Sequence, residues 1–408
     1  MKRIATLTLI SGLMTACAWF NPQPAPTSSP TATLSPTSNP PTATRTQAPP
    51  TATTTPTATA SPTANYPEQG YGPENFPQDI NPLTGLKVLD PNLLDRRPVA
   101  IKVNIVPRTS TRPPWGLSAA DIVYDYYQND GYTRFHAIFL GQNTELAGPI
   151  RSARFPDHFL IRMYKSFFAY GSADPIINSK LFGAEYSDRL VLESGASSLC
   201  PPTSEKPLCR FDPQGYDFLL GSTEAIHAHA EANGIDDGRQ NLDGMYFNLD
   251  PPIEGELGEI LTVRYSGDSY TRWEYDQMSG KYVRYQDAVY DQGAGEEYAL
   301  LTDRNNEEPI AAENVVVVLM EHTYYRKPPA EIVEILISGS GPAYAFRDGK
   351  VYEVRWNVPA QDSVLYLTTV DGKDFPFKPG KTWIQVIGQS SLITTPEDGN
   401  WRYEFLIP

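Results

Sequence analysis

The run Gly148-Pro149-Ile150-Arg151-Ser152-Ala153-Arg154 holds two arginines three residues apart, and these are the side chains whose type and spacing most directly suggest chemistry. A guanidinium fork grips a carboxylate or phosphate through two parallel hydrogen bonds, which a lysine ammonium cannot do. Phe155-Pro156-Asp157 follows, and a proline near the first helical position with an acid in the first turn predicts a helix start. Free backbone N–H groups and the helix dipole favour an anion at such a place. If the turn is already helical, a spacing of three sets both forks on one side.

The charge of the chain makes this concentration unusual. Of 408 residues, 33 are Lys or Arg and 48 are Asp or Glu, for a net charge of −15. Residues 1 to 65 carry Lys2, Arg3 and Arg45 and no acid, so the remainder has 30 bases and 48 acids, a net of −18. Such a surface repels nucleic acid and anionic polymers. Between residues 87 and 165, however, eleven bases meet seven acids. Arg134, Lys102 and Asn104 stand in this basic window, as does Asp125, and with Arg151 and Arg154 they form the candidate ligand-binding set. Asp121 and Asp125 share a strand face by their even spacing, and across the hairpin Asp125 is expected near Arg134 or His136. The arginines could equally pair with Asp121, Asp125 or Asp157 as an internal ion-pair network.

Other chemistry is not signalled. There is no Gly-x-Ser-x-Gly, Ser-x-x-Lys, His-Glu-x-x-His or Gly-x-x-x-x-Gly-Lys pattern. His227 and His229 are two residues apart in a helical stretch, so they point in different directions; His136, His158 and His322 are isolated. No metal, no cofactor and no catalytic residue is predicted.

The elements that must position the basic residues divide the chain into four parts. Met1-Lys2-Arg3 and the apolar run Ile4 to Met14 read as a signal peptide over residues 1–16. Met14-Thr15-Ala16-Cys17 resembles the bacterial lipobox, which implies lipidation of Cys17 and a membrane anchored only through that lipid, with the protein facing outside the cytoplasm. Residues 17–78 read as a linker; from Asn21 to Asn65 it is almost wholly Pro, Thr, Ala and Ser and cannot bury enough apolar surface to fold. Extended as polyproline II at about 3.1 Å per residue, it would hold a head on the order of 100 Å from the membrane.

The head is predicted to be α+β. Residues 79–250 read as a mixed α/β domain: strands at Pro98–Val103, Asp121–Gln128 and Thr133–Leu140, the last two joined by Asn129-Asp130-Gly131, then helices from Arg154, Asp174 and Ser222. Residues 251–408 read as a smaller, mostly β domain, with a long surface loop at 286–312. Cys200 and Cys209 flank a turn-rich loop outside the cytoplasm and are expected to form a disulfide.

Several stretches in order resemble one family. They are Asn81-Pro82-Leu83-Thr84-Gly85, Arg97 to Asn104, Gly116 to Tyr124, Gly131 to Phe135 and Gly148 to Arg154, followed by Asn314 to Val317, Gly339-Ser340-Gly341 and Pro379 to Val386. Together they resemble the YerB-like lipoproteins of bacteria. That resemblance implies a lipid-anchored surface protein with two associated domains and no assigned biochemical activity.

Three roles remain open from the residues. The head could bind an envelope protein, a peptide or a glycan through an anionic group at the arginines. It could be a cell-envelope hydrolase using paired carboxylates such as Asp125 in an interdomain cleft, or a structural part of an envelope complex. Nucleic acid is excluded as a partner by charge.

Overall fold

The computed structural model describes residues 66–212, 215 and 218–407. The signal segment, Cys17 and the Pro/Thr-rich run to residue 65 lie outside the described residues. The linker expected to continue to residue 78 stops earlier, because Tyr71 exchanges backbone hydrogen bonds with Phe247 (2.9 and 2.8 Å) and Phe76 packs its ring on Phe247. Aromatic side chains at 66, 71 and 76 give this stretch apolar surface to bury, which the preceding Pro/Thr run lacks.

Five strands carry the candidate residues: β1 (Val99–Val103), β2 (Ile122–Asn129), β3 (Tyr132–Phe139), β4 (Phe167–Tyr170) and β5 (Leu190–Leu192). The hairpin between β2 and β3 turns on Asp130 and Gly131, both at positive φ (54° and 82°), as a two-residue turn of this hand requires. An 11-stranded sheet places β1 between β3 and β4, and β2 between β3 and the strand Thr382–Gly388. That last strand runs parallel to β2, with Ile122 to Tyr126 opposite Thr382 to Val386. Strands Asn314–Met320, Gly339–Arg347, Lys350–Val358 and Tyr366–Thr369 complete this row. Residues on both sides of position 250 therefore share one sheet.

Four α-helices are present among the described residues: α1 (Arg108–Thr111), α2 (Phe155–Tyr164), α3 (Pro175–Phe182) and α4 (Thr223–Ala232). All precede residue 233, and everything after it is strand and turn, so the α+β reading with a mostly β second part holds. The 286–312 region is less loop-like than its composition predicts. Tyr298–Leu300 pairs with Tyr285 to Asp287, and Asp303 is fully buried.

A 7-stranded sheet, built around Ile260–Ser266, Ser269–Asp276 and Lys281–Asp287, shares its apolar core with the larger one. One ion pair joins them. Arg284 donates to Asp125 at 2.8 Å, and both side chains are almost wholly buried. The guanidinium lies 4.5 Å from the ring centre of Trp383 and 5.1 Å from that of Trp273. The Gln385 amide, oriented so that its oxygen accepts from Arg284 and Trp273 at 3.0 Å, donates to Asp125 at 3.1 Å. Asp125 thus has a partner from the far half of the chain. It sits opposite Phe135 in the hairpin, not beside Arg134 or His136 as expected, because the bulge between Tyr127 and Asn129 shifts the register.

Cys200 and Cys209 form the expected disulfide, with Cα atoms 4.9 Å apart. Closing so short a loop contributes roughly 2.5 to 3 kcal/mol on the chain-entropy view.

Removing one member of a buried pair leaves the other charged and unmatched. Arg284→Met should therefore cost about 3–5 kcal/mol in urea unfolding, while Arg284→Met with Asp125→Leu should recover much of that loss. A double variant as unstable as the single one would contradict this role for the pair.

Candidate functional site

Three basic residues of the window, Lys102, Arg134 and Arg154, meet near a single acid, Asp157. Lys102 on β1 lies opposite His136 on β3, and Arg134 on β3 lies opposite Tyr126 on β2. Asp157 in the first turn of α2 points onto this patch. Its Oδ1 accepts from the Tyr126 hydroxyl at 2.5 Å, from Lys102 Nζ at 3.3 Å and from His136 Nδ1 at 2.8 Å. The Lys102 ammonium also donates to the Tyr126 oxygen. Lys102, Tyr126, His136 and Asp157 all have no solvent exposure.

Burial works against the charge on Asp157, but Lys102 and the hydrogen bonds from His136 and Tyr126 outweigh it and hold its carboxyl well below the usual carboxylate range. Burial brings the Lys102 amine down to about 7, with Asp157 opposing the shift and Arg134 and Arg154 adding to it. Burial likewise lowers His136, favouring the neutral ring. With Nδ1 donating to Asp157, its buried Nε2 has no partner among the described residues.

Asp157 also fills the helix start. Its Oδ2 accepts the Arg154 backbone N–H at 2.6 Å, so the first turn of α2 is capped by its own acid. The expected free helix terminus for an external anion is therefore occupied from within. The expected helical spacing of Arg151 and Arg154 also fails. Arg154 is extended (φ −133°, ψ 168°), and Arg151 and Ala153 bond through their backbones to Gly171 and Ser172. Residues three apart in an extended segment face opposite sides. Arg151 is 8% exposed, its backbone N–H bonds to Lys102, and it has further interactions of its own.

Arg154 and Arg134 turn toward one another around Ser152. Arg154 donates to the carbonyls of Ala153 (2.9 Å) and Ser152 (3.4 Å) and to Asn129 Oδ1 (2.9 Å). Arg134 donates to the same Ser152 carbonyl at 3.0 Å, while its buried Nε has no acceptor among the described residues. Burial and then repulsion from Arg154 and Arg151 push Arg134 well below its ordinary pKa, and burial lowers Arg154. Three cations, Lys102, Arg134 and Arg154, so gather near the Asp157 carboxylate, and the two guanidiniums donate to neutral oxygens, with Asp130 and Asp174 also attracting Arg154.

Arg154 opens into a pocket of about 270 Å³ lined also by Asn129, Ser152, Asp174, Arg326 and Glu331. Both acids in that wall are engaged. Asp174 pairs with Arg326 at 3.2 Å and caps α3, and Glu331 accepts the Tyr127 hydroxyl at 3.1 Å and the Asp130 N–H at 2.7 Å.

Two members of the candidate set lie elsewhere. Asn104 is buried and donates to the Val106 carbonyl, which makes it a brace for its own strand end. Asp125 is sealed between the sheets by Arg284. The candidate set left out Tyr126 and His136. The available signal was Lys102, a cation inside an apolar strand that needs buried partners.

The low pKa of Asp157 sets a sign for pH dependence. Its contribution is fully present above the unfolded carboxyl pKa of about 4 and fades as pH falls below it. Asp157→Asn should cost about 3–5 kcal/mol near neutral pH. In urea unfolding the gap between wild type and variant should narrow progressively below about pH 4. A gap unchanged across that range would contradict a charged Asp157 at the centre of the cluster.

Comparison with known proteins agrees with the motif pattern. Residues 83–208 match the family described as "Protein of unknown function (DUF3048) N-terminal domain", and residues 261–384 match its C-terminal domain. The chain is 30% identical over 311 residues to a Bacillus subtilis (strain 168) protein named "Putative lipoprotein YerB", covering 75% of this chain and 85% of that one. The crystal structure of the Bacillus subtilis YerB protein superposes with a TM-score of 0.62 at 27% identity, covering 76% of this chain and 96% of that one. With both domains matched in order and the fold shared along this length, the chain belongs to the DUF3048 family of proteins of unknown function.

Proposed function

We propose that this is a lipid-anchored cell-surface protein whose head binds the carboxylate or phosphate of an envelope molecule at Arg154, with Arg134 behind it. The anchor rests on the lipobox-like Met14-Thr15-Ala16-Cys17, on the Pro/Thr-rich run that follows, and on the lipoprotein name carried by the Bacillus subtilis relative. Among the described residues no helix is long and apolar enough to cross a membrane.

The observation that carries the binding reading is the surplus of guanidinium over carboxylate. Arg134 and Arg154 spend their donors on carbonyl and amide oxygens, and Arg134 Nε is buried without an acceptor among the described residues. A buried donor left unmade costs about 1–3 kcal/mol, so a surplus of this kind is a reserve of interaction for an outside anion. The acids that line the pocket are already engaged by Arg326, Tyr127 and the Asp130 N–H, which leaves Arg154 available. A hydrolase acting through Asp125 finds no such support, since Arg284 and two tryptophans close that acid off from any substrate.

Titration calorimetry of the full chain at low ionic strength, with inorganic phosphate and N-acetylglycine as probes, tests this. At least one should bind wild type, Arg154→Ala should weaken it about tenfold or more, and Arg154→Lys should restore only part, because a lysine lacks the fork. Equal binding by wild type and Arg154→Ala, or binding by neither, would overturn the assignment.

A further inference from the structure

A second cavity, larger than the arginine pocket and separate from it, opens where the 116–119 turn, the 142–146 loop and the 305–311 segment meet Lys281 and Lys381. Its volume is about 570 Å³, within the roughly 300–1,000 Å³ of small-molecule sites. We infer that it is a binding site for a neutral, hydroxyl-rich molecule, a short glycan.

The walls are built rather than incidental. Asp303 is fully buried and its carboxylate takes four hydrogen bonds: the Gly116 N–H at 2.9 Å, the Ser118 N–H at 2.7 Å, the Ser118 hydroxyl at 2.6 Å and the Asn305 N–H at 2.9 Å. One acid therefore fastens the 305–311 segment to the 116–119 turn. Gly116 adopts φ 77°, and a Cβ there would meet the Leu146 carbonyl at 2.5 Å, so this turn requires glycine. Asn305 Nδ2 bridges across to the Leu146 carbonyl at 2.9 Å, and Asn306 Nδ2 reaches Ser118 Oγ at 3.2 Å. A cavity fixed in this way binds without first having to order its loops.

The polar groups left over define the ligand. Lys381 reaches the cavity with an ammonium that has no hydrogen-bond acceptor among the described residues, although its backbone N–H is held by Glu313 at 2.7 Å. Lys281 pairs with Glu313 at 2.9 Å at the other side. Glu145 and Glu308 bring two carboxylates into the same wall, and neither forms a side-chain ion pair among the described residues. With Lys281 already matched by Glu313, one ammonium, Lys381, faces the carboxylates of Glu145 and Glu308, so the wall carries no positive surplus for an anionic ligand. What the wall offers is donors at Lys381 beside acceptors at Glu145, Glu308 and Asn305 Oδ1, and sugar hydroxyls, each a donor and an acceptor, suit that mixture. The contrast with the arginine pocket, where positive charge is in surplus, is one of ligand class.

Saturation-transfer NMR and calorimetry on the full chain would test this with tetrasaccharides of β-1,4-linked N-acetylglucosamine and of β-1,4-linked glucose, alongside tetragalacturonate as a charged comparison. Saturable binding of at least one neutral tetramer is expected. It should weaken about tenfold in Lys381→Met, the scale of one charge-assisted hydrogen bond, fall also in Asn305→Ala, and stay unchanged in Arg154→Ala. Thermal melting establishes that the variants fold, and Asn305→Ala provides the reading if Lys381→Met does not. No binding of either neutral tetramer, binding of tetragalacturonate alone, or neutral binding that survives both cavity substitutions would each overturn the inference.

Discussion

Placing a carboxylate in a fully buried position next to a lysine, a tyrosine and a histidine is costly unless both its oxygens are hydrogen-bonded. Asp157 meets that condition through Lys102, Tyr126, His136 and the Arg154 N–H. The same side chain fixes the first turn of α2, and with it the point at which Arg154 leaves the backbone. It also neutralises one cation in a patch that holds three. Charge left over after this compensation, on Arg134 and Arg154, meets no acid in an ion pair among the described residues, although Asp130 and Asp174 also attract Arg154. The functional reading depends on that remainder.

The pair Asp125–Arg284 shows what a completed ion pair looks like in the same molecule. Each charge has the other, Gln385 bonds to both, and aromatic rings close over the guanidinium, while Asp125 Oδ1 stays buried with no hydrogen-bond partner among the described residues. Buried between the sheets, it presents nothing to a ligand, and its effect is to join them. The contrast also bears on the net charge. Beyond a Debye length of roughly 8–10 Å the other acids of the −18 head are largely screened, so the nearby groups decide how positive the patch is.

The strands were readable wherever alternation or β-branched runs were strong: Val99–Val103, the hairpin turning on Asp130 and Gly131, Asn314–Met320 and Thr382–Gly388 all follow from local pattern. So did the start of α2, from Pro156 and Asp157, and the disulfide. What local pattern could not supply was distance. Asp125 finds its partner 159 residues away, and no hairpin register could have pointed to Arg284. His136 reads as isolated along the chain because Asp157 reaches it from a helix on the other side of the strand. Arg151 and Arg154 were expected on one helical side, yet backbone pairing with 171–172 keeps the segment extended and separates them. The basic window itself was visible in composition, and it does assemble, with Lys102, Arg134 and Arg154 around one acid. Asn104 and Asp125 belong to its neighbourhood in sequence but to other work in space.

The most direct measurement is of the guanidinium groups themselves. Arginine Nε–Hε resonances in ¹H–¹⁵N spectra, assigned through single Arg→Lys replacements, can be followed as inorganic phosphate is added at low ionic strength. If the surplus charge awaits an outside anion, the Arg134 and Arg154 signals shift together and saturate while that of Arg284 stays in place. Signals of Arg134 and Arg154 that do not move, or that move no more than Arg284, would contradict the account.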